Sequence, residues 1–263
     1  FAVTIYNDDA DAENHWIKAG IPKNKIYRFG DEDNWWGPAG DEGPCGPCSE
    51  LHYDFGPEFG CGHVDCGPNC LRCGRFIELW NLVFMQFYKD KNGHFTNLPN
   101  PNIDTGIGLE RTAVVLQGVP SIYETDLFMP LLSKVCELSG ETYSKTDEVD
   151  RSIRIVVEHA RSSCFLIADG VVPGNDGRGY VLRRLIRRAI RNGRRINLRE
   201  RFLSEIADVV VDEMGNQYKE LKEHSRFVKQ ILDLESDRFE KTVAEGIPLL
   251  EEVLIPLNYH LGE

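Results

Sequence analysis

The chain has 263 residues, 41% hydrophobic and 27% charged, with a formal net charge of −12 at pH 7. That is enough for one large or two ordinary cores, while no apolar run approaches the roughly 20 residues that cross a bilayer. The expectation is a cytoplasmic globular protein without a membrane partner, whose acidity argues against a surface that coats nucleic acid indiscriminately. The chain opens on Phe1-Ala2-Val3-Thr4-Ile5-Tyr6, a buried-strand pattern with no initiating methionine, which predicts a piece excised from a longer polypeptide. A second strand is predicted over 25–29, reached through a short helix from Asp11 to Ala19 that ends at Gly20. Asp33-Asn34-Trp35-Trp36 then sets two indoles beside a Gly/Pro-rich loop at 37–47, suited either to plain core or to the wall of a small-molecule pocket.

A strand over 49–55 leads into a cysteine-rich excursion, and a long apolar strand over 76–88 follows. Inside that strand Glu78, Asn81 and Gln86 need polar partners, which a ligand or metal can supply. Glu78 and Asn81 are three apart, so strict alternation sends them to opposite faces, and a bulge or twist is required for one site to use both. Asn92-Gly93 signals a hairpin, and Pro99 to Pro101 precede the run Asp104-Thr105-Gly106-Ile107-Gly108-Leu109-Glu110-Arg111. This run places an acid, two glycines and an arginine at the start of a helix stopped by Gly118. Glycines there let a ligand approach the backbone, and Arg111 on the first turns can aim a fixed cation at phosphate or adenine. Through residue 118 the predicted pattern is an antiparallel sheet closed by a helix, an α+β arrangement rather than a doubly wound sheet.

From 119 onward the strands give way to helical periodicity at 124–139, 148–168, 177–192, 199–214 and 217–245, with Gly140, Gly170, Gly193, Gly215 and Gly246 as expected stops. This predicts a second, all-helical domain over 119–263. Between Arg178 and Arg201 ten arginines stand against one acid, Glu200, a local +9. Val181, Leu182, Leu185, Ile186, Ala189 and Ile190 form the packing face there, while Arg183, Arg184, Arg187, Arg188 and Arg191 form a one-signed strip opposite. A solvated face normally mixes charges, so a phosphate backbone is the natural partner. The preceding loop, 173–179, is polar and flexible, and Asn175 within it is either a base-reading amide or an ordinary turn residue.

Eight cysteines are present. Cys61, Cys66, Cys70 and Cys73 crowd a Gly/Pro-rich stretch, 61–73, that has no apolar core of its own, which points to structural zinc held by four thiolates, with His63 as an alternative to Cys61. Cys45 and Cys48 are a redox or metal pair or, more simply, small residues shaping a tight loop. Nothing supplies the open zinc site of a metal-dependent hydrolase.

Together, Asp33-Asn34-Trp35-Trp36, GPCGPCSE at 43–50, ELWNLVFMQF at 78–87, DTGIGLER at 104–111, HARSSCFLIADG at 159–170 and GRGYVLRRLIRRAIR at 177–191 resemble the alanyl-tRNA synthetases, a family of class II aminoacyl-tRNA synthetases. The resemblance covers nearly the whole chain. It implies a partial class II antiparallel sheet with helices over 1–118, carrying the cysteine insertion, followed by a helical tRNA-recognition domain. It also implies ATP- and Mg2+-dependent activation of alanine to alanyl-adenylate, then transfer to tRNA(Ala). By position, Arg111 and Asp104 are the catalytic pair: Arg111 meets ATP, with Gly108 and Glu78 beside it, and Asp104 pairs with the alanine ammonium. Trp36, Asn81 and Gly106 line the alanine pocket, and Glu78, with Glu50 as a weaker candidate, holds magnesium. Asn175 and Glu251 match the positions that read the G·U pair of the acceptor stem, although the family tends to have aspartate at the second. The first two class II motifs are expected before Phe1, so the fragment alone is expected to be inactive. The competing expectation is a stand-alone zinc-containing tRNA-binding module without catalysis.

Overall fold

The computed structural model describes residues 1–38 and 40–259, with the side chains of Glu251 and of residues 253–259 lying outside that description. The chain divides into two compact units, Phe1–Ile122 and Tyr123–Glu263.

The first unit runs β1 (Ala2–Tyr6), α1 (Ala10–Lys18), β2 (Ile26–Phe29), α2 (Asp31–Asn34), β3 (Trp35–Trp36), β4 (Gly43–Asp54), β5 (Phe76–Lys89), β6 (Phe95–Ile107) and α3 (Leu109–Gln117). The sheet order is β2-β1-β4-β5-β6, with β3 paired to β4. Ala2, Val3, Thr4 and Ile5 are fully buried, as a central strand requires. The sheet is antiparallel except that β1 and β2 run parallel, a departure from the expected pattern. Parallel neighbours need a crossover, and α1, capped by Asp9 through Ala12 N–H at 2.8 Å, provides it.

Two segments that look like loops in the sequence are strand. β4 begins at Gly43 rather than Ser49, pairing Pro44 with Tyr88, Cys45 with Phe87 and Pro47 with Trp35. Gly46 is there because the neighbouring backbone comes so close: a Cβ would stand 2.0 Å from the Phe84 carbonyl oxygen. Pro47 falls where the register between β4 and β5 slips, a place where a missing N–H is tolerated. Pro99 and Pro101 likewise sit inside β6, in the irregular stretch where Gln86 alone separates the pairs Met85–Asn102 and Phe87–Asn97. The hairpin expected at Asn92-Gly93 is present, with Gly93 at φ +85°.

The second unit consists of α4 (Met129–Ser139), α5 (Asp147–Ala168), α6 (Gly177–Arg195), α7 (Phe202–Met214), α8 (Lys219–Glu223) and α9 (Ser225–Tyr259). Leu131, Ile153, Leu182, Ile186, Ile206 and Leu232 are fully buried and form its core. The helix expected over 217–245 is two, broken at His224. Two expected glycine stops are not stops. α6 continues through Gly193, where a Cβ would lie 2.5 Å from Phe202 Cζ, so this glycine admits a ring instead of ending a helix. α9 continues through Gly246 because good helix formers around it outweigh a cost of about 1 kcal/mol. Among the described residues no helix is long and apolar enough to cross a membrane.

Candidate functional site

One face of the first sheet carries a row of polar positions. Thr4 lies opposite Glu50, Glu50 opposite Asn81, and Asn81 opposite Gly106. Glu50 accepts from Thr4 Oγ1 at 3.0 Å and from Asn81 Nδ2 at 3.2 Å, and it meets His52 Nε2 at 3.1 Å. Asn34, fully buried at the end of α2, donates to Thr4 Oγ1 at 2.8 Å and to the Cys48 carbonyl at 3.2 Å. Both Glu50 oxygens are thus engaged, one with Asn81 and the other with Thr4 and His52. The Asn81 Oδ1 atom is buried and has no hydrogen-bond partner among the described residues. An unpaired buried acceptor costs about 1–3 kcal/mol, so a donor that arrives there is well rewarded. Sequence reasoning missed Thr4, Asn34 and His52; the signal for His52 was its i+2 spacing from Glu50 along one strand.

The bulge that alternation demanded is present. His52 pairs with Glu78 while Leu51 pairs with Trp80, leaving Leu79 as the extra residue. Glu78 and Asn81 therefore share a face. The Leu79 carbonyl accepts the Gly108 N–H at 3.0 Å, so the bulge also fixes the turn before α3. Gly106 has open space where a Cβ would project, and Asp104, opposite Val83, follows two residues along on the same face. On the first turns of α3, Arg111 Nη1 donates to Glu78 Oε2 at 2.9 Å and to the Glu78 carbonyl at 3.2 Å. The pair is half-exposed and worth at most about 1 kcal/mol, so a phosphate can take the guanidinium and a cation the carboxylate.

Trp36 pairs with Gly46 and is 40% exposed, on the same side of β4 as Cys48 and Glu50 by alternation. Trp35 points the other way and stacks on Phe87 at 5.8 Å. It helps line a cavity of about 950 Å3 with Trp16, Leu82, Phe84 and Ile103. Leu82 and Phe84 alternate with Asn81 and Val83, so this cavity lies behind the polar row, and none of the predicted ligand-binding side chains lines it. The predicted ligand-binding side chains lie on the opposite face of the sheet.

The cysteine excursion is clamped at its neck. Arg75 donates to both oxygens of Asp54 at 2.6 and 2.9 Å, and Lys25 adds a third contact at 2.9 Å. These cations hold the Asp54 carboxyl well below the usual carboxylate range. Beyond the neck, Val64 and Leu71 are fully exposed, so no apolar core forms. Instead the sulfurs of Cys61, Cys66, Cys70 and Cys73 lie within 4.8 Å of one another. The separations are 3.7 Å for Cys61–Cys70, 3.6 Å for Cys66–Cys73 and 3.9 Å for Cys70–Cys73. These are far longer than a disulfide and match the edge, about 3.8 Å, of a tetrahedron whose centre lies 2.3 Å from each sulfur. Four such thiols can hold a metal. The His63 ring is not part of the cluster; its backbone N–H acts instead, lowering the Cys61 thiol to about 6. Cys45 and Cys48 are buried small residues within β4 rather than loop residues, and burial pushes the Cys48 thiol up to about 11.

In the second unit the expected arginine strip on α6 divides. Arg187 Nε donates to Glu235 Oε1 at 2.8 Å, and Arg183 Nε approaches the same oxygen at 3.4 Å. Glu235 is 1% exposed, so these two arginines are turned against α9. Arg184, Arg188 and Arg191 are exposed, Arg184 over the Tyr180 ring and Arg188 in a pocket it shares with Asp147 and Asp150. Asn175 is exposed before α6, with its Oδ1 accepting from Arg183 Nη1. The Glu251 side chain lies outside the described residues.

Comparison with known proteins adds three facts. The family model of the class II (A) tRNA synthetases matches residues 1–260. The chain is 53% identical over 252 residues to the alanine–tRNA ligase of Dehalococcoides mccartyi, covering 96% of this chain and 29% of that one. The corresponding ligase of Natranaerobius thermophilus is 49% identical over 256 residues, covering 97% and 29%. The chain therefore spans less than a third of the length of these curated relatives.

Proposed function

From its membership of the class II tRNA synthetases, we propose that this chain carries the amino-acid and nucleotide half-site of an alanine–tRNA ligase together with a tRNA-recognition surface. In this reading the alanine carboxylate attacks the α-phosphorus of ATP, pyrophosphate leaves, and the alanyl group then passes to a hydroxyl of the terminal adenosine of tRNA(Ala) with release of AMP. The observation that carries it is the unpaired Asn81 Oδ1, held by Glu50 beside the open space at Gly106 and the carboxylate of Asp104. Two oxygen acceptors on one face, next to a position with no side chain, suit a small cation such as the ammonium of alanine. The exposed indole of Trp36 closes the apolar side.

Arg111 contacts ATP once released from Glu78, and Gly108 keeps the α3 N-terminus open to phosphate. Glu78 is the better magnesium ligand because Glu50 is already satisfied. Magnesium, when bound, would neutralise phosphate charge; the residues themselves orient the reactants, and orientation is the main work in such a step. We also propose that the four thiolates hold structural zinc, on the sulfur spacing given above. Arg184, Arg188 and Arg191 meet the acceptor-stem backbone, and Asn175 reads its G·U pair. Calorimetric titration with a non-hydrolysable alanyl-adenylate analogue tests the assignment. Binding by the chain, lost in Asp104→Asn, supports it. No analogue binding alongside intact RNA-hairpin binding replaces it with a tRNA-binding module.

A further inference from the structure

Glu235 is a carboxylate that the assigned functions leave unexplained. It sits on α9, 1% exposed, with one oxygen, Oε2, lacking any hydrogen-bond partner among the described residues. Burying a charge is costly unless it is paired, and both of its partners come from α6. Arg187 suffices to staple the helices, through its 2.8 Å contact and its guanidinium 5.3 Å from the Phe239 ring centroid. Arg183 does something more. While its Nε stands 3.4 Å from Glu235 Oε1, an ion-pair contact without hydrogen-bond geometry, Nη1 donates to the side chain of Asn175 and Nη2 to the Pro173 carbonyl at 3.4 Å. One planar guanidinium thus links a buried anion to two points of the loop before α6, and a lysine cannot reproduce that fork. The same loop is pinned from below, where a Cβ on Gly179 would stand 2.6 Å from the Val172 carbonyl oxygen.

We propose that Glu235 is a positioning residue for RNA discrimination: acting through Arg183, it fixes the orientation of the Asn175 amide. The inference rests on the tRNA reading of Asn175 and deepens it. Without Glu235 the guanidinium is free to swing, and Asn175 becomes one more mobile exposed amide whose donor and acceptor ends exchange. Backbone affinity, supplied by Arg184, Arg188 and Arg191, does not depend on this link.

The test uses the whole chain and two acceptor-stem hairpins, one with the G·U pair and one with G·C in its place. Their affinity ratio and the salt dependence of binding are measured by fluorescence anisotropy. Glu235→Gln is expected to lower the ratio about tenfold, as the loss of one base-reading contact does, with an unchanged salt slope. Asn175→Ala should lose as much, and the double variant no more, because the two act as a unit. Arg187→Gln, which breaks the helix staple but not the loop contact, should weaken both hairpins alike and keep the ratio. Should Glu235→Gln fail to fold, Arg183→Lys carries the same expectation of a lost ratio. Retention of the ratio in Glu235→Gln, or in Arg183→Lys, while Asn175→Ala loses it, overturns the link and leaves the tRNA reading standing. Equal binding of both hairpins by the unsubstituted chain overturns both.

Discussion

The polar row on the sheet and the cysteine loop are both assemblies of polar side chains away from an apolar core, yet they are stabilised in opposite ways. On the sheet, Thr4, Asn34, Glu50, His52 and Asn81 bond to one another across three strands and one short helix, leaving Asn81 Oδ1, Asn34 Oδ1 and His52 Nδ1 without partners among the described residues. In the loop, four sulfurs face each other with Val64 and Leu71 turned to solvent, so the large apolar side chains contribute no core there. On the proposed reading the first is a site organised before its ligand arrives and the second a fold that its ligand completes. The difference lies in how many valences the protein leaves over, a few in the row and all four sulfurs in the loop.

The largest effect should come from the loop. Chelation, or Cys66→Ser with Cys70→Ser, is expected to remove about one equivalent of zinc and collapse residues 61–73, since structural zinc supplies on the order of 10 kcal/mol to such folds. Elemental analysis and limited proteolysis report it, and protein isolated metal-free with an ordered loop would contradict the contrast. The row should respond less. Asn34→Ala removes the donor to Thr4 Oγ1 and the Cys48 carbonyl and should cost about 1–3 kcal/mol in a urea melt of the first unit, because the core around it survives.

A smaller effect is expected at the loop's neck. The Asp54 pKa is depressed by Arg75 and Lys25, so its contribution is present above the ordinary carboxylate value, about 3.9, and is lost as pH falls through the lower folded value. Asp54→Asn should therefore lower stability at neutral pH and remove part of the acid dependence below pH 4. An unchanged acid limb in this variant would place the dependence elsewhere. The smallest effect belongs to the exposed pair, where Glu78→Gln should change stability by no more than about 1 kcal/mol while weakening Mg2+-dependent ATP binding.

Much of this was legible in the sequence because period and punctuation agree with the fold there. The hairpin at Asn92-Gly93, the helix after Gly108 and the cysteine spacing are local signals, and they are met locally. What was hidden depends on a neighbour. Gly46 and Gly193 look like loop and stop until Phe84 and Phe202 come against them. Alternation forbade Glu78 and Asn81 from sharing a face until the bulge at Leu79, set by pairing with β4, let them. The arginine strip appeared uniform because Glu235, more than forty residues away, does not announce that it will be buried against α6. Except for Gly193 and Phe202, which are near in sequence, the missing information is a long-range contact, which no short window of sequence contains.

The most direct measurement of the central claim is the affinity of the chain for a non-hydrolysable alanyl-adenylate analogue, compared with that of Asn81→Ala and Asp104→Asn. The account predicts saturable binding weakened at least tenfold by either substitution, with unfolding midpoints close to the original. Unchanged affinity in both variants would contradict it, because the polar row would then not be where alanine is held.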